Sequence, residues 1–308
     1  MASIDDLYYT HPFQITKQIR RDVYEYISPS NASNKQAGKI IVITGGGTGI
    51  GASISRIWIQ AGAEGVVIAG RRKDVLDKTV QDLKGIATAD TKVLGVQADV
   101  VQESDMKDLF ETVKTTFGRT ADVVVANAGY VPPSTLVAEQ DISIWWQGYE
   151  VNVKGLHNTA VQWIRSQQNP KEPQGTFISV SSALGGFAFP GGSSYGSSKL
   201  AGHRYVEYLG LEYPKIRTFI TIPGIVATEA LEEWLLPYAK DSVELTGALS
   251  LYLSTNRADF LKSSLISVNW DIETLERHQD EVQRGALKLR WVEQLPRTAG
   301  DEKGTLWE

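Results

Sequence analysis

The stretch that decides the fold is ITGGGTGIGASI, residues 43–54. It follows the apolar run IIV and precedes a helix-like segment, ISRIWIQ, so it joins a buried strand to a helix. Glycines at positions 45, 49 and 51 allow a tight turn and close approach of the backbone to a pyrophosphate, which the free N–H groups of a helix N-terminus would bind. The stretch therefore predicts a nucleotide-binding turn between the first strand and the first helix.

The same alternation of strand, turn and helix continues along the chain. Short apolar runs bounded by turn signals alternate with amphipathic stretches, and the runs are KIIVITG, GVVIAGR, KVLGVQADV, DVVVANAG, GTFISVSS and RTFITIPG. Such runs, separated by helical patterns, indicate βαβ units around a buried parallel sheet. We predict an α/β fold of the Rossmann type, with a doubly wound parallel sheet of at least six strands in three α/β/α layers.

We predict a single domain with two flanking segments. Residues 1–37 are polar with scattered aromatic residues and form an N-terminal arm, residues 38–270 form the Rossmann domain, and residues 271–308 form a C-terminal helical extension packed on it. In the tail, LISVNW is predicted as the last strand. A helix is predicted from about Asp271 to Arg284, with Asp271 near its N-cap and Gly285 as its stop.

Composition limits the classes of partner. The chain of 308 residues has a net charge of −5, which gives no basic field for nucleic acid or an anionic membrane surface, so we expect a small-molecule substrate instead. It has no cysteine, and its four histidines are not spaced as a metal motif, so no metal site is expected. We expect no membrane span and no secretory signal. The absence of cysteine is compatible with a reducing compartment, and we predict a cytoplasmic location.

The end of the second predicted strand carries the residues expected to select the cofactor. An acidic residue about twenty positions after the glycine turn would hydrogen-bond a ribose 2′-hydroxyl. The segment AGRRKD offers Gly70, Arg71 and Arg72 there instead. A guanidinium binds a 2′-phosphate through a fork of N–H groups, whereas a carboxylate would repel it. NADP(H) is therefore favoured over NAD(H), which stays possible because two arginines can also simply begin a solvated helix.

Six motifs extend the argument beyond the glycine turn: TGGGTGIG, ANAG, VNVKG, SVSS, YGSSK and IPGIVAT, in this order over about residues 38–265. Together they resemble the short-chain dehydrogenase/reductase family, in its single-domain branch. The resemblance implies hydride transfer between a nicotinamide cofactor and a carbonyl or alcohol, by a homodimer or homotetramer. The tail STNRADFLKSSLISVNWDIETLE and the N-terminal arm are also similar in style to reductases of fungal secondary metabolism.

The resemblance also assigns residues. With the two arginines included, the expected cofactor-binding positions are Thr44, Gly45, Thr48, Gly49, Ile50, Gly51, Arg71, Arg72, Asp99, Val100, Asn127, Ala128, Gly129, Tyr195, Lys199, Pro223, Gly224, Val226 and Thr228. The expected catalytic residues are Asn152, Ser182, Tyr195 and Lys199. Ser182 is preferred to Ser181 because the family places its serine thirteen residues before the tyrosine. ANAG departs from the usual double asparagine by carrying Ala126, a change that we expect to be tolerated.

These residue types fit the reduction of a carbonyl. Charge develops on the carbonyl oxygen during hydride transfer, so a proton donor and hydrogen bonds are needed there. Tyr195 would supply the proton, and Lys199 would lower its pKa and hold the nicotinamide ribose. Ser182 would donate a hydrogen bond to the substrate oxygen, and Asn152 would position a water that relays protons to Lys199. A tyrosine and a lysine four residues apart occur on any exposed helix, so the motif order carries this assignment.

Substrate choice is expected to depend on three segments, YVPPST, ALGGFAFPGGSS and EALEEWLLPYAKDSVELTG, which follow the fourth, fifth and sixth strands. Their apolar and aromatic side chains suit a bulky, weakly polar carbonyl or alcohol, although core packing explains such residues equally well. These side chains are Tyr130, Phe187, Phe189, Trp234, Leu235 and Leu236. The prediction is an NADP(H)-dependent oxidoreductase, a ketoreductase of secondary metabolism.

Two alternatives compete with this prediction. Sugar-nucleotide epimerases and dehydratases share the Tyr-x-x-x-Lys pair, but their glycine motif is spaced T-G-x-x-G-x-x-G, whereas position 48 here is Thr. The short tail also leaves little room for their larger substrate lobe. The second alternative is a cofactor-binding protein with a non-redox or scaffold role. The occupation of all four catalytic positions by the expected residue types speaks against it.

Overall fold

A computed structural model describes residues 9–289 and is built around a parallel sheet. The seven strands lie in the order β3-β2-β1-β4-β5-β6-β7. They are β1 (Ile40–Thr44), β2 (Gly65–Gly70), β3 (Lys92–Gln97), β4 (Val123–Ala126), β5 (Gly175–Val180), β6 (Ile216–Ile222) and β7 (Leu265–Ser267). Every apolar run predicted as a strand forms one. The predicted last strand, LISVNW, contributes only its first three residues.

Helices cover both faces of this sheet. They are α1 (Gly49–Gln60), α2 (Lys73–Ile86), α3 (Glu103–Phe117), α4 (Ile142–Tyr149), α5 (Gly155–Arg165), α6 (Ser193–Glu212), α7 (Leu245–Leu253), α8 (Ile272–Arg277) and α9 (Gln279–Gln283). Strand β1 shows why two layers form, since successive side chains of a strand point to opposite faces. Ile41 and Ile43 pack into a core with α1 and α7, while Ile40 and Val42 pack into a second core with α3 and α5. The predicted three-layer Rossmann-type fold is confirmed.

The order of the strands reverses beside β1, which is paired with both β2 and β4. Thr44, the last residue of β1, is in register with Ala69 of β2 and Ala126 of β4. The connections that leave β1 and β4 diverge to opposite sides at such a point, and a crevice opens outside the carboxyl ends of the strands. The glycine turn leaves β1 at this crevice.

The N-terminal arm lies against the C-terminal part of the chain. Ile27 is buried in the same core as α7. The indole Nε1 of Trp270 donates a hydrogen bond to the carbonyl of Phe13 at 2.7 Å. Arg20 pairs with Asp271 at 2.6 Å, and the carboxylate is nearly fully buried. The described part of the arm is therefore packed on the domain along its length.

The helix predicted over residues 271–284 is present but interrupted. Asp271 is the N-cap of α8, and its carboxylate accepts a hydrogen bond from the backbone N–H of Thr274. At His278 the backbone (φ −109°, ψ 25°) leaves the helical region, which separates α8 from α9. Gly285, with φ at 96°, follows the end of α9. None of the helices within residues 9–289 is long and apolar enough to cross a membrane.

The domain boundaries after residues 37 and 270 stay predictions. The arm and the β7 segment share a core and hydrogen bonds, so contacts cross both boundaries. Residues 1–8 of the predicted arm and 290–308 of the predicted extension lie outside the described residues.

Candidate active site

A cleft of about 680 Å³ runs along the carboxyl ends of the strands. It extends from the end of β2 to the segment after β6, four strand spacings apart or about 19 Å, which matches the length of an extended dinucleotide. Fifteen of the predicted cofactor-binding residues line it: Gly45, Thr48, Gly49, Ile50, Arg71, Arg72, Asp99, Val100, Asn127, Ala128, Gly129, Tyr195, Lys199, Pro223 and Thr228. Thr44, Gly51, Gly224 and Val226 are not among the lining residues.

The glycine turn packs closely against the loop after β4 and the start of α1. Gly45 has φ at 64°, and a Cβ on it would lie 2.9 Å from Cα of Ala128. A Cβ on Gly51 would lie 2.3 Å from the carbonyl oxygen of Gly45. Gly51 therefore allows α1 to begin against the turn, and it does not face the cleft itself. A side chain at either position would push the turn out of its place.

The turn is held by a small hydrogen-bond network with the loop after β4. The hydroxyl of Thr44 accepts hydrogen bonds from the backbone N–H groups of Asn127 and Ala128, each at 3.1 Å. The side-chain amide of Asn127 donates to the carbonyls of Thr44 and Gly45 at 3.0 and 3.2 Å. Thr44 thus supports the cleft from behind, and the backbone of the turn is fixed before any ligand binds.

The start of α1 suits a phosphate group. Thr48 is the N-cap residue, and its side chain makes no capping hydrogen bond. The first N–H groups of α1 are therefore not capped by that side chain, and the positive end of the helix dipole points into the cleft. This arrangement, together with the glycine cradle, fits the pyrophosphate of a dinucleotide cofactor.

Two arginines mark the β2 end of the cleft, as predicted from AGRRKD. Arg72 lies 3.7 Å from Glu229 across the cleft mouth, and both side chains are exposed. The guanidinium of Arg71 makes no ion pair or side-chain hydrogen bond with any residue between positions 9 and 289. Arg71 is therefore available to an anionic ligand, whereas Arg72 already has a carboxylate partner.

Tyr195 and Lys199 lie one turn apart on α6, with the Lys199 ammonium 5.6 Å from the centroid of the Tyr195 ring. Tyr195 is in the first turn of the helix, which begins at Ser193. Gly196 lets this turn approach the segment after β5, since a Cβ there would lie 2.9 Å from the carbonyl of Leu184. The small residue next to the tyrosine thus brings α6 against the serines that follow β5.

Ser182 and Ser181 point to different partners. Ser182 precedes a short 3₁₀ turn, Ala183–Gly185, its hydroxyl accepts a hydrogen bond from the backbone N–H of Leu184 at 3.2 Å, and it lies close enough to Tyr195 to lower the pKa of the phenol. The hydroxyl of Ser181 is buried and lies 2.5 Å from Nε2 of His203. Ser182 therefore lies beside the phenol of Tyr195, whereas Ser181 bonds to His203 and is the one of the two that lines the cleft; the catalytic role of Ser182 stays a prediction.

Asn152 lies in a single π-helical turn, Glu150–Lys154, between α4 and α5. Such turns occur frequently at functional sites. Its Oδ1 accepts a hydrogen bond from the backbone N–H of Tyr130 at 2.9 Å, and its Nδ2 donates to the Tyr130 carbonyl at 2.9 Å and to Ser198 at 3.0 Å. Asn152 thus ties the loop after β4 to α6. Its expected role in positioning a water stays a prediction.

The pKa values of the pair on α6 are shifted by their surroundings. Burial raises the pKa of the Tyr195 phenol, and the hydrogen bond with Ser182 opposes this change. We expected Lys199 to lower the pKa of Tyr195, but the net direction is the reverse because burial dominates. Burial also lowers the pKa of Lys199 to about 8. Burial therefore favours the uncharged form of both side chains, the phenol of Tyr195 and the amine of Lys199. The ammonium that was expected to lower the pKa of Tyr195 is itself disfavoured.

Lys199 keeps donors free for a ligand. Within residues 9–289 its ammonium makes one hydrogen bond, to the Val180 carbonyl at 3.2 Å. An ammonium has three N–H donors, so two remain for hydroxyl groups in the cleft. One turn further along α6, burial and then the charge of Lys199 lower the pKa of His203 to about 4, so this histidine is neutral near pH 7.

Sequence reasoning missed part of the cleft lining. The missed residues are Gly47, Val75, Leu76, Ala98, Val151, Val180, Ser181, Ala227, Glu229 and Ala230. Gly47 lies within the glycine turn, and its position there was a usable signal. Val75 and Leu76 reach the cleft from α2, and nothing in the local pattern separates them from ordinary core residues of an amphipathic helix.

The N-terminal arm was also not predicted to approach the site. Tyr9 makes edge-on ring contacts with Trp234 and Tyr238, with centroids 5.9 and 4.7 Å apart. Phe13 contacts Phe187 in the same way, with centroids 4.2 Å apart. The arm thus connects two of the segments predicted to wall the substrate pocket, those after β5 and β6.

Comparison with known proteins agrees with this geometry. A family model for short chain dehydrogenases matches residues 39–237. Short chain dehydrogenase mpl6 of Monascus purpureus is 29% identical over 288 residues, which covers 91% of this chain and 97% of that protein. Short chain dehydrogenase andI of Emericella variicolor is 31% identical over 262 residues, with 82% and 88% covered. A crystal structure of a short-chain type dehydrogenase/reductase from Mycobacterium marinum superposes with a TM-score of 0.69 at 26% identity, covering 77% of this chain and 96% of that one. The resemblance predicted from the motifs is therefore confirmed, and the chain belongs to the short chain dehydrogenase family.

Proposed function

We propose that this protein is an NADP(H)-dependent oxidoreductase that interconverts a bulky, weakly polar ketone and its alcohol. The observation that carries the proposal is that Tyr195, with Ser182 beside it, and Lys199 lie in one cleft with the glycine turn and Arg71. A proton-handling group and phosphate-binding backbone in the same cleft are what hydride transfer to a carbonyl requires from the protein.

Each residue has a distinct task in this proposal. A bound nicotinamide cofactor supplies or accepts the hydride. Because burial raises its pKa, the Tyr195 phenol keeps its proton near neutral pH and can give it to the carbonyl oxygen of the substrate. Ser182 lies beside Tyr195, and when a substrate binds it donates its single O–H to the same substrate oxygen in place of the phenol. The two free N–H donors of Lys199 hold ribose hydroxyls.

The preference for NADP(H) rests on the end of β2. Arg71 has no partner among the described residues, and Arg72 faces the exposed carboxylate of Glu229 at 3.7 Å. A 2′-phosphate beside Arg71 would form charge-assisted hydrogen bonds, which are about twice as strong as neutral ones. NAD(H) lacks this group and would leave the guanidinium without a partner.

The proposal of a bulky substrate rests on the aromatic side chains of the arm and of the segments after β5 and β6, which contact one another. The similarity of mpl6, which covers 91% of this chain, extends beyond the matched family model. This similarity to fungal short chain dehydrogenases and the style of the tail support a role as a ketoreductase of secondary metabolism. A cytoplasmic location is part of the same proposal.

We further propose a homodimer or homotetramer. Large apolar side chains are exposed on α4 and α6, among them Trp146 at 52%, Tyr208 at 56% and Leu211 at 77%. Exposed apolar residues grouped on neighbouring helices are typical of protein interfaces. Pairing of copies through these helices would cover them.

The test measures oxidation of NADPH by the purified protein with a panel of bulky ketones. Tyr195→Phe is expected to lower turnover by about a hundredfold or more, because the proton donor is lost, while the Kd for NADPH stays within about twofold. Tyr205→Phe, on the same helix but bonded to His157, is the matched control and should keep its rate. A Tyr195→Phe variant with most of its rate would show that the proton donor is wrong. Tight NADPH binding without oxidation by any ketone would favour the non-redox or scaffold role.

A further inference from the structure

The carboxylate of Asp241 joins three distant parts of the chain. Its side chain is fully buried, and Oδ1 accepts hydrogen bonds from Nη1 of Arg21 at 2.8 Å and from Nδ2 of Asn269 at 2.7 Å. Its Oδ2 accepts from the backbone N–H of Ile225 at 2.6 Å. The backbone N–H of Asp241 donates in return to the Ile225 carbonyl at 3.2 Å. We call these four residues the Asp241 junction.

The junction carries the start of the loop after β6, which leaves the sheet at the β6 end of the cleft and reaches Gly49 and Arg72 with Thr228 and Glu229. Pro223, Ala227 and Thr228 of this loop line the cleft together with Tyr195. Between them, Gly224 has φ at 76°, and a Cβ on it would lie 2.3 Å from Oδ2 of Asp241. The loop therefore packs directly against the carboxylate, and the conformation of the loop depends on the position of Asp241.

The buried carboxylate of Asp241 has a cation as its partner. A buried carboxylate that loses its ionic partner is strongly destabilising, because no water replaces the lost interaction. Arg21 supplies that cation from the N-terminal arm, 220 positions away in sequence. The carbonyl of Arg21 also accepts a hydrogen bond from the backbone N–H of Ser242 at 2.8 Å. The arm thus holds both the side chain of Asp241 and the backbone of the next residue, Ser242.

We propose that Arg21 of the N-terminal arm is a positioning residue for the nicotinamide half of the cofactor, acting through Asp241 on residues 223–225 of the loop after β6. The inference rests on the proposed use of NADP(H). The adenine half would lie toward Arg71 and Asp99, which the loop approaches only with Thr228 and Glu229, beyond its contacts with Asp241. Loss of Arg21 therefore weakens binding of the whole cofactor but not binding of its adenine half.

The chain contains a matched control in the neighbouring residue. Arg20 also belongs to the arm and also pairs with a buried carboxylate, that of Asp271 at 2.6 Å. Asp271 caps α8 through Thr274 and accepts no hydrogen bond from the cofactor loop. Arg20→Met therefore removes an equivalent ion pair of the arm without touching the loop.

The experiment compares the Kd of NADPH with that of adenosine 2′,5′-bisphosphate, which lacks the nicotinamide half, by calorimetry on the full chain. For Arg21→Met we expect the Kd of NADPH to rise about tenfold or more, while that of the bisphosphate stays within about twofold. For Arg20→Met the ratio of the two constants stays that of the wild type. Arg21→Lys keeps a cation without the planar fork, and its ratio is expected to be intermediate, about threefold above that of the wild type.

The outcomes separate the inference from the function on which it rests. Equal ratios in Arg21→Met and Arg20→Met, with both proteins folded by thermal unfolding, would overturn the positioning role. If Arg21→Met does not fold, Arg21→Lys carries the comparison, and a ratio raised about threefold is the supporting result, while an unchanged ratio overturns the inference. Failure of the wild type to bind the bisphosphate and NADPH would overturn the proposed cofactor and, with it, this inference.

Discussion

Replacing Lys199 with Met is expected to stabilise the cofactor-free protein while turnover is lost. Burial lowers the pKa of Lys199 from 10.5 to about 8, and each pKa unit corresponds to about 1.4 kcal/mol. Holding the ammonium in the folded state therefore costs about 3 kcal/mol wherever the folded and the unfolded chain are both protonated. Met has a similar length and carries no charge, so the substitution removes most of this cost.

The direction of the pKa change fixes the sign of the pH dependence. Between pH 8 and 10.5 the folded wild type has released the Lys199 proton while the unfolded chain still holds it. Stability of the wild type therefore rises with pH in this window, because the unfolded state binds more protons. The advantage of the variant is expected to be about 3 kcal/mol near neutral pH and to disappear as the pH approaches 10.5.

Urea unfolding of both proteins at a series of pH values measures this difference. Lys171→Met is the control, since Lys171 lies on an exposed turn, and its effect should stay within about 0.5 kcal/mol at every pH. A Lys199→Met variant that is less stable than the wild type near neutral pH would refute the reasoning. So would a stability difference that does not change between pH 8 and 10.5.

Two further predictions concern the cofactor cleft. Arg71→Ala is expected to weaken NADPH about tenfold or more, because a hydrogen bond to a charged phosphate is lost, and to change the Kd of NADH less than about twofold; equal losses would contradict the NADP(H) preference. Gly51→Ala is expected to lower the free energy of unfolding by about 1–3 kcal/mol, since its Cβ would lie 2.3 Å from the Gly45 carbonyl. Gly85→Ala is the control, because Gly85 lies on α2 with open space around it, and it should raise the free energy of unfolding by about 0.5–1 kcal/mol. If urea unfolding shows that both substitutions change this free energy in the same direction, the steric argument is wrong.

The sheet was predictable because strands that are buried on both faces have nearly continuous apolar sequences. In β1, residues Ile40 to Ile43 are all fully buried, so no polar position interrupts the pattern. The last strand was predicted too long for a local reason. The N–H of Trp270 bonds back to the carbonyl of Ser267, so the chain turns where the apolar pattern of LISVNW continues.

The positions of the site residues along the chain were predictable, but their electrostatics were not. The order of the motifs indicated Tyr195 and Lys199, and it indicated Ser182 by spacing. The sign of the pKa change at Tyr195 depends on how burial compares with the hydrogen bond of Ser182, and this balance depends on three-dimensional packing. The contact of Arg21 with Asp241 could not be predicted from the sequence either, because no local pattern relates residues 220 positions apart.

The pairing of charges separates residues that hold the fold from residues left for a ligand. Asp241 and Asp271 are buried, and each has an arginine of the arm as its partner. Lys199 is also buried, yet its hydrogen bond goes to a neutral carbonyl, and His203 below it is uncharged near pH 7. Because an uncompensated buried charge costs stability, a cation kept in a cleft without a carboxylate indicates a site where a ligand supplies the compensation. By this criterion Lys199 is a residue of the ligand site, and Asp241 is a structural residue that positions the loop after β6.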